Sequence, residues 1–264
     1  MKSVLITGAY GGMGQATAKL LAQKGFRVFA LDLKTGEAQE NIMPIQADIT
    51  DGASVLAAFQ SVSQKTDDLY AILHFAGVYM LDSLVEMDET SFERIFKINV
   101  EGVYRVNKTF LPLLKQGSRI LITTSELANL DPLPFTGIYA VTKAALDKYA
   151  YSLRMELQLL GISVSVLRAG AVDTGMLGVS TSALERFCSS TALYTCNAKR
   201  FRSIVGRVEA RNIPTVKIAG KVYGIIKKKS PGFAYSINRN PLLILLNILP
   251  RCIQFAIIKM ILQN

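Results

Sequence analysis

Cysteine is scarce in this chain of 264 residues, and its few copies exclude two kinds of site. Cys188, Cys196 and Cys252 are odd in number, so they cannot all pair with one another, and their spacing fits no zinc site. Unpaired thiols are typical of a reducing compartment. We therefore expect a cytoplasmic protein that has neither a disulfide framework nor a bound metal.

The sequence also lacks a long uninterrupted apolar run. Residues 241–262 are strongly apolar, but Asn247, Pro250, Arg251 and Lys259 interrupt them, whereas a spanning helix needs about 20 apolar residues in succession. Three interpretations of this segment stay open: a cap on an apolar substrate cleft or subunit interface, a peripheral membrane contact, or ordinary core. Strand-like sequence already begins at Val4, so we expect no signal peptide.

Acidic residues almost disappear from the last quarter of the chain. From Lys199 onward there are 13 Lys and Arg but a single acid, Glu209, whereas the residues before Lys199 are close to neutral. Such an excess suits nucleic acid, anionic lipid or an acidic substrate, but we favour the simpler interpretation of solvated helix faces. We expect no nucleic-acid partner.

Repeats and low-complexity tracts are missing as well, and apolar runs alternate with amphipathic stretches instead. The alternation predicts strands near residues 2–7, 26–32, 43–47, 69–75, 118–124, 162–168 and 232–237. It predicts helices near residues 12–24, 51–64, 88–116, 137–160 and 215–229. The pattern indicates an α/β fold, a doubly wound parallel Rossmann sheet of about seven strands. We expect one domain over residues 1–264, with an apolar helical extension over residues 240–264.

A glycine motif joins the first predicted strand to the first predicted helix, where residues 7–14 read Thr-Gly-Ala-Tyr-Gly-Gly-Met-Gly. Gly8 permits a tight turn, Gly12 lets the backbone approach a pyrophosphate, and Gly14 allows the helix to pack closely on the strand. The N–H groups and the dipole of the first helical turn favour an anion at this point. The motif therefore predicts a dinucleotide-binding site.

An acidic residue follows the second predicted strand. Asp32 lies 18 residues beyond Gly14, where a carboxylate can accept hydrogen bonds from the adenosine ribose. A carboxylate there repels the 2′-phosphate of NADP, and no Lys or Arg lies between Gly8 and Gly14 to attract it. The sequence therefore favours NAD(H) over NADP(H), although Lys34 lies close by.

Three further side chains predict proton transfer at a substrate oxygen. Tyr139 and Lys143 are four residues apart in the predicted helix 137–160, which places the phenol and the ammonium on one helical face. A nearby ammonium is expected to lower the pKa of a phenol from about 10, which suits a general acid and base. Ser125 follows the predicted strand 118–124, at the sheet edge of the glycine turn, where its hydroxyl can orient a substrate oxygen.

The order and spacing of these motifs resemble the short-chain dehydrogenase/reductase family over about the first 175 residues. The glycine motif, Asp48-Ile49, Asn99-Val100-Glu101-Gly102, Ser125 and Tyr139-x-x-x-Lys143 carry the resemblance. It implies that Tyr139 transfers a proton, that Lys143 lowers the pKa of Tyr139 and holds the nicotinamide ribose, that Ser125 steadies the reacting oxygen, and that Asn99 helps to hold a water. It also implies NAD(H) contacts at Gly8, Tyr10, Gly11, Gly12, Met13, Gly14, Asp32, Leu33, Asp48, Ile49, Ala76, Gly77, Tyr139, Lys143, Val172 and Thr174.

Two segments depart from the family's pattern. The family's Asn-Asn-Ala-Gly is His-Phe-Ala-Gly at residues 74–77. His74 is the only histidine and invites a catalytic role, but we favour a strand-end histidine that bonds to neighbouring backbone. The family's Pro-Gly is here Ala169-Gly170, and loss of the proline is expected to loosen the loop while the contacts of Val172 and Thr174 with the nicotinamide carboxamide remain.

Residues 175–213 interrupt the alternation, and we expect them to cover the cleft as a substrate lid. Apolar side chains are available there: Met176, Leu177, Leu184, Phe187, Leu193, Tyr194 and Phe201. Together with the apolar C-terminal segment they resemble the hydroxysteroid and retinoid branch of the family. The alternative that these residues only pack a core or a dimer interface stays open.

The resemblance implies an NAD(H)-dependent enzyme that interconverts an alcohol and a carbonyl on a bulky apolar substrate, such as a hydroxysteroid, a bile acid or a retinoid. A homodimer or homotetramer is the family's expectation. Two alternatives stay open. One is a reductase of 3-oxoacyl thioesters, whose acidic carrier the basic quarter would receive. The other is a non-catalytic NAD-binding or membrane-associated scaffold.

Overall fold

A parallel sheet forms the centre of the protein in a computed structural model that describes residues 1–209 and 212–263. The strands in these ranges are β1 (Ser3–Thr7), β2 (Arg27–Asp32), β3 (Ile42–Gln46), β4 (Leu69–His74), β5 (Leu114–Ser125), β6 (Ser163–Ala169), β7 (Val172–Asp173), β8 (Ile213–Pro214) and β9 (Ala234–Ile237). Seven of these described strands form one sheet in the order β3-β2-β1-β4-β5-β6-β9, and β7 pairs separately with β8. The predicted doubly wound α/β fold is confirmed.

Strand β1 shows why the sheet is covered on both faces. It pairs in parallel with β2 on one side and with β4 on the other, and all five of its residues are buried. Val4 and Ile6 pack into one apolar core, while Leu5 packs into a second core across the sheet. Parallel strands buried on both faces require such an unbroken apolar run.

Helices cover both faces of the sheet. They are α1 (Gly12–Gln23), α2 (Gly52–Ser63), α3 (Glu89–Phe96), α4 (Gly102–Phe110), α5 (Gly137–Leu157), α6 (Gly175–Ser190), α7 (Thr195–Glu209), α8 (Thr215–Ile226), α9 (Pro241–Ile248) and α10 (Arg251–Gln263). Helices α1 and α8 supply one core, and α2, α4 and α5 supply the other. This arrangement leaves the carboxyl ends of the strands free to build a site.

The long helix predicted over residues 88–116 is wrong in two respects. A π-helical turn, Lys97–Glu101, separates α3 from α4, and β5 already begins at Leu114, where the chain pairs with Leu69 of β4. Pro112 lies in the 3-10 turn that ends the helical stretch, and proline has no N–H to continue a helix. Apolar periodicity alone did not distinguish these changes of geometry.

The segment predicted to be a lid, residues 175–213, contains α6 and α7 and ends in β8. These helices share a third apolar cluster with α10, which includes Phe187, Phe201 and Leu262. The partly buried ring of Phe135 packs against this cluster, 4.4 Å from the ring of Phe187 and 5.4 Å from that of Phe201. The side chains of Met176 and Leu177 lie outside the described residues. In the ranges 1–209 and 212–263, no helix combines the length and the apolar character that a bilayer crossing demands.

Candidate active site

Two adjoining hollows open at the carboxyl ends of the strands. The larger, here called the groove, has a volume of about 870 Å³ and follows the turn between β1 and α1. The smaller, here called the cavity, has a volume of about 220 Å³ and lies beside the ends of β5 and β6. Met13, Gly77 and Thr174 line both of them. A ligand that fills the groove would therefore border the cavity, at the sheet edge where α/β folds bind ligands.

Every residue predicted to contact the cofactor lines one of these hollows. Thirteen line the groove: Gly8, Tyr10, Gly11, Gly12, Met13, Gly14, Asp32, Leu33, Asp48, Ile49, Ala76, Gly77 and Thr174. Tyr139, Lys143 and Val172 line the cavity, as does Ser125. Their contacts with a bound dinucleotide stay predictions.

The glycine turn has the shape that a dinucleotide needs. Gly8 has a φ of +66°, and a Cβ at this position would lie 2.5 Å from the nitrogen of Ala76. A Cβ on Gly14 would collide with the carbonyl oxygen of Gly8, so α1 packs on the turn as predicted. Helix α1 begins at Gly12, and no side chain caps its first turn within this described segment, which leaves N–H groups for an anion. NAD(H) or NADP(H) therefore fits this cradle.

Asp32 is held between the glycine turn and the end of β2. Its Oδ2 accepts a hydrogen bond from the Tyr10 nitrogen at 2.9 Å, and its Oδ1 accepts one from the Leu33 nitrogen at 2.8 Å. These bonds fix the carboxylate at the wall of the groove without consuming all of its lone pairs. Lys34 lines the same wall. The geometry suits recognition of ribose hydroxyls by Asp32.

The pair Asp48 and Ile49 lines the groove beyond β3. The Asp48 carboxylate accepts hydrogen bonds from the nitrogen and the hydroxyl of Thr50, at 2.8 and 2.7 Å. A Cβ on Gly102 would lie 2.6 Å from Cδ1 of Ile49. The glycine that ends the Asn-Val-Glu-Gly motif is therefore needed for Ile49 to pack against α4.

Asn99 is fully buried in the π-helical turn, a rare geometry that often marks functional sites. Its Oδ1 accepts a hydrogen bond from the Val78 nitrogen at 2.8 Å, and its Nδ2 donates to the Val78 oxygen at 3.0 Å and to Thr142 Oγ1 at 3.1 Å. A Cβ on Gly77 would lie 3.2 Å from Asn99 Oδ1 and 3.5 Å from Lys143 Nζ. Asn99 thus fixes the loop after β4 beside Lys143, and its predicted water stays a prediction.

Tyr139, Ser125 and Lys143 meet at the wall of the cavity. The phenol of Tyr139 shares a hydrogen bond with the Ser125 side chain. Lys143, one turn along α5, donates from Nζ to the Thr123 oxygen at 3.3 Å and lies 5.6 Å from the centre of the Tyr139 ring. The ring of Tyr79 closes the other side, 4.9 Å from that of Tyr139. The predicted catalytic side chains therefore come together.

Burial determines the acidity of both the Tyr139 phenol and the Lys143 ammonium. Removal from water raises the pKa of Tyr139, the neighbouring Tyr79 raises it further, and only the hydrogen bond with Ser125 lowers it. Burial also lowers the pKa of Lys143 to about 8. Burial thus opposes the predicted lowering by Lys143, and the net shift raises the pKa of Tyr139. Tyr139 retains its proton near neutral pH.

His74 is held by hydrogen bonds within the fold, as predicted, but its hydrogen-bond partners differ from those predicted. Its Nε2 lies 2.8 Å from Asn107 Oδ1, and its Nδ1 lies 3.4 Å from Thr7 Oγ1, so it bonds to side chains rather than to neighbouring backbone. Asn107 in turn donates to the Tyr149 hydroxyl at 3.2 Å. The ring is buried, and burial lowers its pKa to about 4. His74 lines neither the groove nor the cavity, among the described lining residues.

The loop after β6 lacks the family's proline and was expected to be loosened. Hydrogen bonds nevertheless hold it. Gly170 donates from its nitrogen to the Ile237 oxygen at 3.0 Å, and Asn238 donates from Nδ2 to the Ala171 oxygen at 2.7 Å. The pairing of β7 with β8 adds a further restraint. Thr174 at the end of the loop lies against Gly12, where a Cβ would come within 2.8 Å of its Cγ2.

Sequence reasoning missed Glu126, which is buried at the cavity directly after Ser125. Its Oε2 accepts a hydrogen bond from the Asn240 nitrogen at 2.6 Å, which ties the start of α9 to the site. Burial raises the pKa of this carboxyl, while the Asn240 bond and Arg239 oppose the shift. Its position at the carboxyl end of a strand was the available signal. Leu243 of α9 also lines the cavity, so the C-terminal extension contributes a wall.

Comparison with known proteins adds independent findings. The family model described as short chain dehydrogenase matches residues 2–185. Estradiol 17-beta-dehydrogenase 2 of Mus musculus is 34% identical over 189 residues, which cover 67% of this chain and 50% of that protein. The NADPH-dependent 1-acyldihydroxyacetone phosphate reductase of Schizosaccharomyces pombe is 30% identical over 192 residues, which cover 69% and 65% of the two chains. The chain thus spans about half the length of the first relative and under two thirds of the second.

Solved structures share the fold. A short chain dehydrogenase/reductase from Burkholderia phymatum in complex with NAD superposes with a TM-score of 0.78 at 22% identity. The match covers 97% of this chain and 94% of that structure. At this identity the likeness shows the architecture alone.

Proposed function

The chain belongs to the short-chain dehydrogenase family and is an oxidoreductase, and from this premise we propose that it uses NAD(H) to interconvert an alcohol and a carbonyl on a bulky apolar substrate. The observation that carries the proposal is that Tyr139, Ser125 and Lys143 line one cavity, with Lys143 Nζ 5.6 Å from the centre of the Tyr139 ring. A proton donor at this point faces a space that borders the dinucleotide groove.

In this proposal, side chains of the protein bind and protonate the substrate oxygen. When bound, the nicotinamide supplies a hydride to the carbonyl carbon, or accepts one in oxidation. Ser125 holds the oxygen by hydrogen bonding, and Tyr139, which keeps its proton near neutral pH, passes that proton to the same oxygen. Lys143 has a pKa of about 8, so its ammonium can exchange protons in the same range of pH. Oxidation of an alcohol runs these transfers in reverse and needs the deprotonated phenol, the form that burial of Tyr139 disfavours.

The preference for NAD(H) rests on Asp32. Its carboxylate is fixed by Tyr10 and Leu33 at the groove wall, where the 2′-phosphate of NADP would meet a negative charge. The relative from Schizosaccharomyces pombe is named as NADPH-dependent, and Lys34 offers a cation at the same wall. Direct comparison of the two cofactors therefore tests this part of the proposal separately.

The substrate class follows from the cavity lining. Leu127, Leu133, Phe201 and Leu243 present apolar side chains there. The mouse relative is named for estradiol, which agrees with an apolar polycyclic substrate. The buried carboxyl of Glu126 suits a second hydroxyl on the substrate and disfavours an anionic group. We therefore place neutral hydroxysteroids and retinoids ahead of bile acids.

Replacement of Tyr139 by phenylalanine tests the chemistry. Turnover with NADH or NAD would be followed by absorbance against hydroxysteroids, retinoids, sugars and 3-oxoacyl thioesters, and NADH affinity by fluorescence. We expect Tyr139→Phe to lower kcat by roughly 10²–10⁴-fold, because only the proton-transferring oxygen is removed. NADH affinity should change by less than about twofold, because uniform binding is left intact.

Tyr151→Phe is the matched control, since Tyr151 lies on the same helix α5 but is exposed. It should retain full activity. Equal turnover by the Tyr139→Phe variant would refute the assignment of the proton donor. Turnover of a thioester without any turnover of steroid or retinoid would replace the proposed substrate class but retain the proposed chemistry.

A further inference from the structure

Helix α9 exposes an apolar side. Leu242, Leu245 and Ile248 are three residues apart along the helix, and 64%, 60% and 73% of their surfaces are exposed. The opposite side of α9 carries Leu243, which is buried and lines the cavity. A soluble surface helix is normally apolar only toward its core. Both sides of α9 are apolar, and packing against the protein core does not explain the apolar residues on its exposed side.

Helix α10 is still more unusual, because its largest apolar residues point away from the protein. Phe255 and Met260 are 68% and 60% exposed, whereas the polar Gln254 is buried and donates to the Leu249 oxygen at 2.9 Å. The buried side of α10 packs through Leu262 and Ile258 against α6 and α7. We call the exposed residues of the two helices the outer face: Leu242, Leu245, Ile248, Ile253, Phe255, Met260 and Ile261. A cluster of exposed apolar residues on two consecutive helices is typical of an interaction site.

Basic side chains outnumber acidic ones around the outer face. No Asp or Glu occurs from residue 210 to residue 264, while Arg251 and Lys259 belong to α10 itself. Arg200 of α7 donates to the Leu262 oxygen, which brings a further cation to the end of α10. An apolar face bordered mainly by cations complements a lipid surface that contains anionic headgroups.

A second copy of the chain is a poorer occupant of the same face. In a two-fold symmetric dimer each patch meets itself, so the cations of the two copies would be brought together. The acid next to the face is Asp131, which is already paired with Arg251 at 3.2 Å. From these observations we propose that the outer face of α9 and α10 binds the surface of a membrane that contains anionic lipid, without crossing it.

The position of the cavity connects the membrane contact with substrate entry. Asn240 and Leu243 form part of the cavity wall at the beginning of α9, and Leu242 and Leu245 belong to the outer side of the same helix. A membrane seated on the outer face would therefore lie next to the substrate cavity, where an apolar substrate dissolved in lipid could enter. This consequence rests on the proposed function, whereas the membrane contact itself does not.

Vesicle binding by the purified full chain tests the proposal. Cosedimentation would compare vesicles of phosphatidylcholine with vesicles containing about 30% phosphatidylglycerol, at low and high salt. We expect binding to the anionic vesicles to be at least about tenfold tighter than to the neutral ones, and to weaken with salt. The double variant Leu245→Glu with Phe255→Glu should weaken it by at least about tenfold, because two charges would enter the apolar boundary.

A charge-matched control separates membrane binding from a general effect of acidity. Val85→Glu with Leu159→Glu adds the same two charges at positions that are 71% and 83% exposed and lie outside α9 and α10. This control should bind anionic vesicles like the unchanged chain, and both double variants should keep their thermal unfolding temperature and NADH affinity. A loss of turnover with intact vesicle binding would count against the proposed function and leave the membrane contact standing.

Absence of binding to both kinds of vesicle would overturn the proposal. So would equal weakening by the two double variants. Light scattering tests the remaining alternative, a dimer. If the unchanged chain binds no vesicles and forms a dimer that the Leu245→Glu, Phe255→Glu double variant dissociates, a second copy is the occupant of the outer face.

Discussion

The buried imidazole of His74 should make the protein sensitive to mild acid. Burial lowers its pKa from 6.5 to about 4, so the unfolded chain takes up a proton at a higher pH than the folded chain does. Stability therefore rises with pH wherever the unfolded state binds more protons. The contribution of His74 is fully present above about pH 6.5 and is lost progressively as the pH falls toward 4.

The size of this loss follows from the two pKa values. Linkage gives a loss of about 2 kcal/mol at pH 5 and about 3 kcal/mol at pH 4, relative to pH 7.5. His74→Gln removes the titrating group but keeps an amide that can reach Asn107. The variant should start from lower stability, because the packing around the ring changes, yet it should lack this part of the pH dependence.

Urea unfolding at pH 7.5, 6, 5 and 4 measures the effect. The quantity of interest is the difference in the free energy of unfolding between pH 7.5 and pH 5, compared between the unchanged chain and His74→Gln. Because His74 is the only histidine, its ring proton resonance can also be followed by NMR without assignment. Losses that agree within about 0.5 kcal/mol in the two proteins, or a ring that titrates near pH 6.5, would refute the reasoning.

Three further outcomes follow from contacts at the site and beneath it. Gly14→Ala should abolish measurable NADH binding by fluorescence, because its Cβ would collide with the Gly8 oxygen, and binding within about twofold of the unchanged chain would contradict this account. Asp32→Ser should shift the ratio of NADPH to NADH affinity toward NADPH by at least about tenfold in the same titration, and an unchanged ratio would remove Asp32 from cofactor choice. Asp147→Asn should lower the free energy of unfolding by about 3 kcal/mol, because it leaves the largely buried Arg168 without its partner at 2.7 Å. Glu93→Gln, which breaks an exposed pair, is its control and should cost less than about 0.5 kcal/mol in urea unfolding. Equal losses would show that burial does not govern these pairs.

The order of strands and helices could be predicted because it depends on local periodicity. All seven strands expected from apolar runs lie in the parallel sheet, and helices α1, α2 and α8 begin within one residue of their predicted starts. Burial on both faces requires such runs, and this requirement is visible in the sequence. The break between α3 and α4 was missed, since a single π-helical turn is too short to be recognised from apolar periodicity.

The candidate site could also be predicted from the sequence where its residues are close together in the chain or lie at the ends of strands. The glycine turn, Asp32 and the pair Tyr139 and Lys143 follow from short spacings, and the parallel topology brings Ser125 to the same edge. Glu126 escaped notice, because its partner Asn240 is 114 residues away and no short motif connects them.

The sequence by itself determined the fold class and predicted the glycine turn and the side chains proposed to transfer protons, because each depends on residue type at short spacing. Only the tertiary structure decided the direction of the pKa shift of Tyr139, the partners of His74 and the side on which α10 exposes Phe255. These properties depend on burial and on contacts between distant segments. An apolar segment has the same composition whether it faces the core or the surroundings, and packing alone chooses between them.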